Sequence, residues 1–392
     1  MCTEFRRRDF LKGSLLGAAS WGLSFPAGSV VSAAESAVEW PSFRNGLKNQ
    51  GVAETSLPEE PKLLWEVASP DGVTSTPVIA DGRVYVGTLS GDLLCLELDT
   101  GKEVWKYQTG VDVPPNELAP GFNSPLTLAP KTVLAGDDQG TMHAVDRASG
   151  EKKWSFATLG EIVGGGAIVG DRLIFGSHAE KLFALSLETG EPIWSVDTQG
   201  PVNGTPTVVD HFTFITGCSE PLMHVIDTNS GEKVGGIPLD ALLLASAAER
   251  DGILYFGTDA GAVHAINWKE KQSVWEYSVP KREQRIQSSP AVTEDLVVVG
   301  SRDKHLHAID RKTGAGRWQF KTRAAIDSSP VVVGNRVFFG GGDKNLYALS
   351  LASGEELWRY NAGQGFTGSP AVVGGKLVVG TDSANGRVLC FG

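Results

Sequence analysis

Cysteine is scarce in this chain of 392 residues: four occur, at Cys2, Cys95, Cys218 and Cys390, with no C-x-x-C, no adjacent pair and no C-x-x-C-H. That scarcity excludes a disulfide framework, a zinc ribbon and a c-type haem attachment. Positive charge is also short. Lysine and arginine total 35 against 46 acids, a net charge of −11. That is the wrong sign for binding nucleic-acid phosphates or anionic lipid headgroups. Beyond residue 33 there is no run of about 18 apolar residues to span a membrane. No G-x-S-x-G elbow, H-E-x-x-H, P-loop or G-x-G-x-x-G after a strand occurs, so the commonest hydrolase, metalloprotease and nucleotide sites have no foothold.

What is present begins with an export signal. "RRRDFLKGSLLGAASWGLSF" places bases before an apolar stretch of small residues, and "VSAAE" offers a small-residue cleavage site near Ala33. Arg7 and Arg8 open a stretch that follows the twin-arginine pattern R-R-x-F-L-K, an address read by a receptor on folded cargo. No cysteine follows the apolar stretch closely enough to be lipidated. The expected organisation is a signal over 1–33, an extension over 34–61 and one domain over 62–392. The mature protein is expected to be periplasmic or secreted, with no membrane span.

Glycine, at 48 residues, is the composition's outstanding feature, and its placement is periodic. "STPVIADGRVYVGTLSGDLLCLELDTGKEVW" at 75–105 is matched without a gap by "SSPVVVGNRVFFGGGDKNLYALSLASGEELW" at 328–358. The glycine ending the second apolar run recurs at Gly87, Gly136, Gly176, Gly217, Gly257, Gly300, Gly340 and Gly380, every forty residues or so. Each copy reads as four short Val/Ile/Leu-rich strands joined by tight turns, which is the pattern of a propeller blade. The last copy stops after its third strand, while "KLLWEV" at 62–67 precedes the first copy and carries a tryptophan where a fourth strand has one. The fold expected is all-β: an eight-bladed propeller of four-stranded antiparallel blades, closed by an N-terminal strand that completes the last blade and removes an open edge.

Trp65, Trp105, Trp154, Trp194, Trp275, Trp318 and Trp358 hold one position per copy; the fourth copy has Gly235 near there. Spread around a ring they cannot share a ligand, so they are expected to staple neighbouring blades, each stabilising its junction by about 2–3 kcal/mol. The fourth junction is expected to be the loosest. The motif A-x-D-x-x-T-G-x-x-x-W, complete at Ala308–Trp318, resembles the tryptophan-docking repeat of the PQQ-like β-propellers. "WPSFR" at 40–44 looks like the opening of secreted members. The resemblance covers residues 40–392 and implies the propeller fold. Its members include quinoprotein alcohol dehydrogenases and the non-enzymatic BamB.

Candidate chemistry is sparse. His143, His224, His264 and His307 share a repeat position filled elsewhere by Leu94, Phe183, Tyr347 and Leu389, which marks a packing site rather than a metal ring. Cys95 and Cys390 replace alanines; Cys218 is the better candidate for a reactive thiol. Paired acids such as Asp137-Asp138 fall on a hairpin tip, where aspartate forms turns. Pairs of small residues open each innermost strand, and the residue before them forms a ring at the channel mouth: Thr74, Phe122, Val163, Asn203, Leu244, Gln287, Asp327 and Thr367. These polar members, with Arg285 and Arg323 on the same face, make the candidate binding site.

Two classes of function follow. A PQQ- and calcium-dependent dehydrogenase would need an ion-holding acid set, a base (Asp327), a carboxylate partner (Arg285) and an aromatic floor, and no such set is evident. A secreted scaffold engaging envelope or secreted proteins through top-face loops, as a monomer or a subunit of a larger complex, needs none of these. It is the reading preferred, with no resident cofactor. A carbohydrate- or polymer-binding propeller is the third reading and would need exposed aromatics such as Phe122 and Phe366.

Overall fold

The computed structural model describes residues 39–110, 119–219 and 221–392. Residues 1–33, with Arg7 and Arg8, lie outside them. Regular structure among the described residues is entirely strand, arranged as eight antiparallel four-stranded sheets in a ring, the seventh joined by one short parallel strand. Blade 1 comprises Val78–Ala80, Arg83–Gly87, Asp92–Glu97 and Glu103–Gln108. Its first turn is Asp81-Gly82, both at positive φ (51° and 67°), the geometry a two-residue hairpin demands. Closure occurs as expected: Leu63–Ser69 pairs antiparallel with Gly386–Phe391, Trp65 opposite Cys390.

The periodic glycines exist because a neighbour sits where a side chain would go. A Cβ on Gly87 would lie 2.5 Å from Phe122, on Gly136 2.3 Å from Ile162, on Gly257 2.1 Å from Ile286 and on Gly340 2.3 Å from Phe366. At these junctions a blade therefore drives one apolar side chain onto the bare backbone of the blade before it. In blade 4 the equivalent residue is Thr216, opposite Met223, rather than Gly217 one step on.

The tryptophans dock across blades. Trp65, Trp105, Trp154, Trp194, Trp275 and Trp318 donate their Nε1–H groups to carbonyls of Leu98, Arg147, Leu187, Thr228, Arg311 and Leu351 at 2.8–3.3 Å. Each indole lies over a glycine of the next blade's turn, Gly101, Gly150, Gly190, Gly231, Gly314 and Gly354, all at φ of 70–76°. That glycine is needed twice, for its left-handed backbone and for the space a Cβ would take from the indole. Trp358 has no such turn ahead of it and packs on Phe391 at 5.5 Å. Between blades 4 and 5 both halves are missing: Gly235 stands for the tryptophan and Lys271 (φ 56°) for the glycine. Trp268 of blade 5 fills the junction from the other side, edge-on to Phe214 at 5.1 Å.

Residues 40–57 form a strap across one end of the channel. Backbone bonds tie Trp40 to Ile79, Pro41 to Leu128, Leu47 to Val208, Lys48 to Glu249, Gln50 to Val292 and Gly51 to Val332. Val52–Ala53 adds the parallel strand beside Val331–Val333. Arg44 is buried at the centre, donating to the carbonyls of Pro290 and Pro330, and burial lowers its guanidinium to about 9. One end of the channel is thereby closed.

Candidate functional site

Above the strap the inner strands are laced by hydroxyls. Backbone N–H groups of Gly165, Thr205, Ser246, Ser289 and Ser329 donate to the side-chain oxygens of Thr205, Ser246, Ser289, Ser329 and Ser369, each in the next blade, at 2.8–3.0 Å. The small residues of the inner strands thus do more than relieve crowding at the axis, because these five hydroxyls each accept from the backbone of the blade before. The belt walls a cup of about 200 Å³ floored by Phe43 and lined at its rim by Thr74, Val163, Asn203, Leu244, Gln287, Asp327 and Thr367.

Phe122 is a correction. It is fully buried between blades 1 and 2, covering Gly87 and edge-on to His143 at 5.6 Å. In "GFNSP" the pair Asn-Ser imitates the small pair of other copies, whereas Ser124 is the residue that bonds the Gly136 carbonyl as Ser75 bonds that of Gly87. Asn123 therefore takes the mouth position. Phe366 is equally buried, so neither aromatic is available to stack on a sugar. Arg285 and Arg323 are exposed on the same face but do not line the cup. Asp327 is bound by both Nε and Nη2 of Arg302, each at 2.9 Å, which raises the Arg302 guanidinium further and leaves the carboxylate engaged rather than poised as a base.

A polar relay along blades 2–4 was not legible in the sequence. Asn123 Nδ2 reaches Glu161 at 3.5 Å, Glu161 lies 3.6 Å from His178 Nδ1, His178 Nε2 meets Asn203 Oδ1 at 2.9 Å, and Asn203 Nδ2 donates to Cys218 Sγ at 2.9 Å. The relay gathers members from three blades, each isolated along the chain. Burial raises the Cys218 thiol, so Cys218 is a hydrogen-bonded thiol and not an activated nucleophile. Cys95 and Cys390 are buried, and desolvation pushes them to about 11 and about 12. Beside the relay Leu159 is 93% exposed, at a left-handed φ of 67°.

The four repeat histidines are buried in separate blades, as packing positions are. Two belong to cross-blade relays: His143 lies between Asp137 and Tyr107, and His307 between Asp303 and Tyr277, Asp137 and Tyr107 being 2.9 and 3.0 Å from the ring nitrogens of His143. Asp137 serves its hairpin too, accepting from the backbone of Gln139 and Thr141.

The family model described as outer membrane protein assembly factor BamB matches residues 58–158, 138–285 and 219–391. Among curated relatives, the outer membrane protein assembly factor BamB of Shewanella oneidensis is 21% identical over 317 residues, covering 65% of this chain and 80% of that protein. The crystal structure of BamB from Moraxella catarrhalis superposes with a TM-score of 0.71 at 16% identity, over 84% of this chain and 99% of that one. Quinohemoprotein alcohol dehydrogenase from Comamonas testosteroni gives 0.78 at 15% identity, over 90% of this chain and 80% of that one. Both structural likenesses speak to the fold alone.

Proposed function

The chain belongs to the family described as outer membrane protein assembly factor BamB, and on that footing we propose that it is a non-enzymatic scaffold of the bacterial envelope, binding protein partners through the face that carries the cup. Its relatives' role in outer-membrane assembly supports placing it in the periplasm or beyond, and the twin-arginine stretch at Arg7 and Arg8 supports export in a folded state. The observation that carries the binding reading is Leu159. A leucine in left-handed backbone costs about 1 kcal/mol, and one 93% exposed recovers nothing by packing within the chain. The same loop position holds Gly110, Gln199, Arg323 and Gly363 in other copies, so the fold does not ask for leucine there. An apolar anchor beside a polar relay is the composition of an interface centre with its rim.

A quinone with calcium does not fit these residues. A tricarboxylate needs free cations, and Arg302, the guanidinium joined to the rim, is committed to Asp327. The cup of about 200 Å³ falls below the 300 Å³ or so from which ligand pockets usually start. Of the rim amides, Asn203 is already bonded to His178 and Cys218.

Photo-crosslinking in the protein's own cells tests the proposal. A crosslinker placed at Leu159 is expected to give one discrete adduct with another envelope protein, and one at Asp171, whose side chain is 88% exposed on the strap side, is expected to give none. Equal labelling from both sites, or saturable micromolar binding of PQQ with calcium followed by tryptophan quenching, overturns it.

A further inference from the structure

The third repeat histidine, His264, departs from His143 and His307. In the latter two, one ring nitrogen meets an aspartate of the same blade, Asp137 or Asp303, and the other meets a tyrosine of the previous blade, Tyr107 or Tyr277. Blade 5 has Thr258 and Ala260 at the two aspartate positions, and blade 4 offers Ile237 where the tyrosine would be. Even His224 spends its Nε2 on the Thr198 carbonyl. His264 Nε2 makes no hydrogen bond, although the side chain is 8% exposed and Phe256 stacks on the ring at 5.5 Å.

The ring lies beside two carboxylates. Glu276 is the cross-strand partner of His264 on the outermost strand, and Asp240 comes from the segment linking blade 4 to blade 5. One oxygen of each carboxylate and a ring nitrogen of His264 all lie within 4.8 Å of one another. The Nε2–Asp240 Oδ1 separation is 3.4 Å without hydrogen-bond geometry. Bonds of about 2.0–2.1 Å to a tetrahedral zinc set its ligand atoms about 3.3–3.4 Å apart. The spacing matches that of two ligands on one zinc ion, and the absence of a hydrogen bond leaves the ring nitrogen open to a metal.

We propose that Asp240, His264 and Glu276 form a binding site for a divalent transition metal of the zinc class, with three protein ligands and a fourth position open to water. One imidazole and two carboxylates are borderline-hard donors, which suits zinc and its first-row neighbours better than calcium, whose sites are built of six to eight oxygens. The site sits at the junction where the tryptophan and its glycine are both absent. A metal there ties the inter-blade segment at Asp240 to the body of blade 5, a crosslink in place of the docked indole.

The test uses chelator-treated, otherwise intact protein titrated with zinc chloride by calorimetry and with cobalt(II), whose visible absorption reports tetrahedral coordination. One equivalent is expected to bind with a dissociation constant on the order of micromolar or tighter. Asp240→Asn and Glu276→Gln, both at exposed side chains, are each expected to weaken binding at least about tenfold. His264→Gln is expected to abolish it, and His143→Gln to leave it unchanged. Should His264→Gln fail to fold, the two exposed variants still decide. No saturation up to about 1 mM zinc, or parental affinity in either carboxylate variant, overturns the site.

Discussion

Blades 5 and 6 meet through Trp275, which lies over Gly314 and donates to the Arg311 carbonyl at 2.8 Å; blades 4 and 5 meet with neither a docked tryptophan nor a turn glycine. The two junctions share blade 5, and each blade beside the gap keeps its other half. Gly231 of blade 4 still receives Trp194, and Trp275 of blade 5 still docks forward. What was lost is one tryptophan and the glycine of the following copy. The written motif T-G-x-x-x-W is therefore not the physical unit. The unit joins the tryptophan of one copy to the glycine of the next, and loss of one half removes the reason for the other.

The largest effect that sharpens this contrast comes from Trp275→Ala. It is expected to cost about 3–5 kcal/mol, the usual range for deleting a buried tryptophan, read as a lowered urea midpoint. Trp268→Ala at the rebuilt junction is expected to fall at the lower end of that range, because Trp268 packs on Phe214 with its Nε1 unbonded. A cost as large as that of Trp275→Ala would show that the fourth junction is as strongly stapled as the rest.

Restoring the motif is the next probe. A Cβ at Gly235 would meet the Lys271 ammonium at 2.7 Å, the far end of a flexible side chain. Gly235→Trp alone is expected to cost about 1–3 kcal/mol through overpacking. Adding Lys271→Gly, which removes that side chain and suits the φ of 56°, is expected to recover much of the cost. Strict additivity of the two changes would break the comparison.

The smallest effect concerns pH. Asp146, in the turn that receives Trp105, is held down to about 2, chiefly by the Ser149 backbone N–H and then by Lys153. Its folded value is lower than its unfolded one, so its contribution is full above about pH 4 and lost as pH falls through about 2. The equivalent residue in blade 5 is the neutral Asn267, whose oxygen accepts from the Lys269 and Glu270 backbones at 3.1 and 3.2 Å. Asp146→Asn is expected to flatten the acid limb of stability slightly, and an unchanged limb would remove the carboxylate from the account.

The period, the blade pattern and the closing strand were legible because glycine and tryptophan recur in register and tolerate few substitutes. The strap was not. "WPSFR" carries no strand pattern, and the backbone of the strap as a whole is tied to six separate inner strands that no local signal announces. The mouth ring was legible except in blade 2, where polar Asn123-Ser124 obscured a one-residue slip that buried Phe122. The relay from Glu161 to Cys218 and the trio at His264 depend on residues from neighbouring blades or linkers converging in space, which a repeat alignment cannot show. One partial signal was available for the latter: His143 and His307 follow blades with a tyrosine two residues beyond the tryptophan position, whereas His224 and His264 follow Val196 and Ile237.

The most direct measurement is a pair of double-mutant cycles sharing Gly190. Trp154 lies over Gly190 from the previous blade, whereas Trp194 shares the stretch "LETGEPIW" with it and docks onto Gly231. Urea unfolding of Gly190→Val, Trp154→Ala, Trp194→Ala and the two doubles gives both couplings. The cross-blade pair Trp154/Gly190 is expected to couple by about 1–3 kcal/mol, and the same-motif pair Trp194/Gly190 to be additive within about 0.5 kcal/mol. Coupling confined to the Trp194/Gly190 pair would contradict the account and return the repeated motif to a unit within one blade.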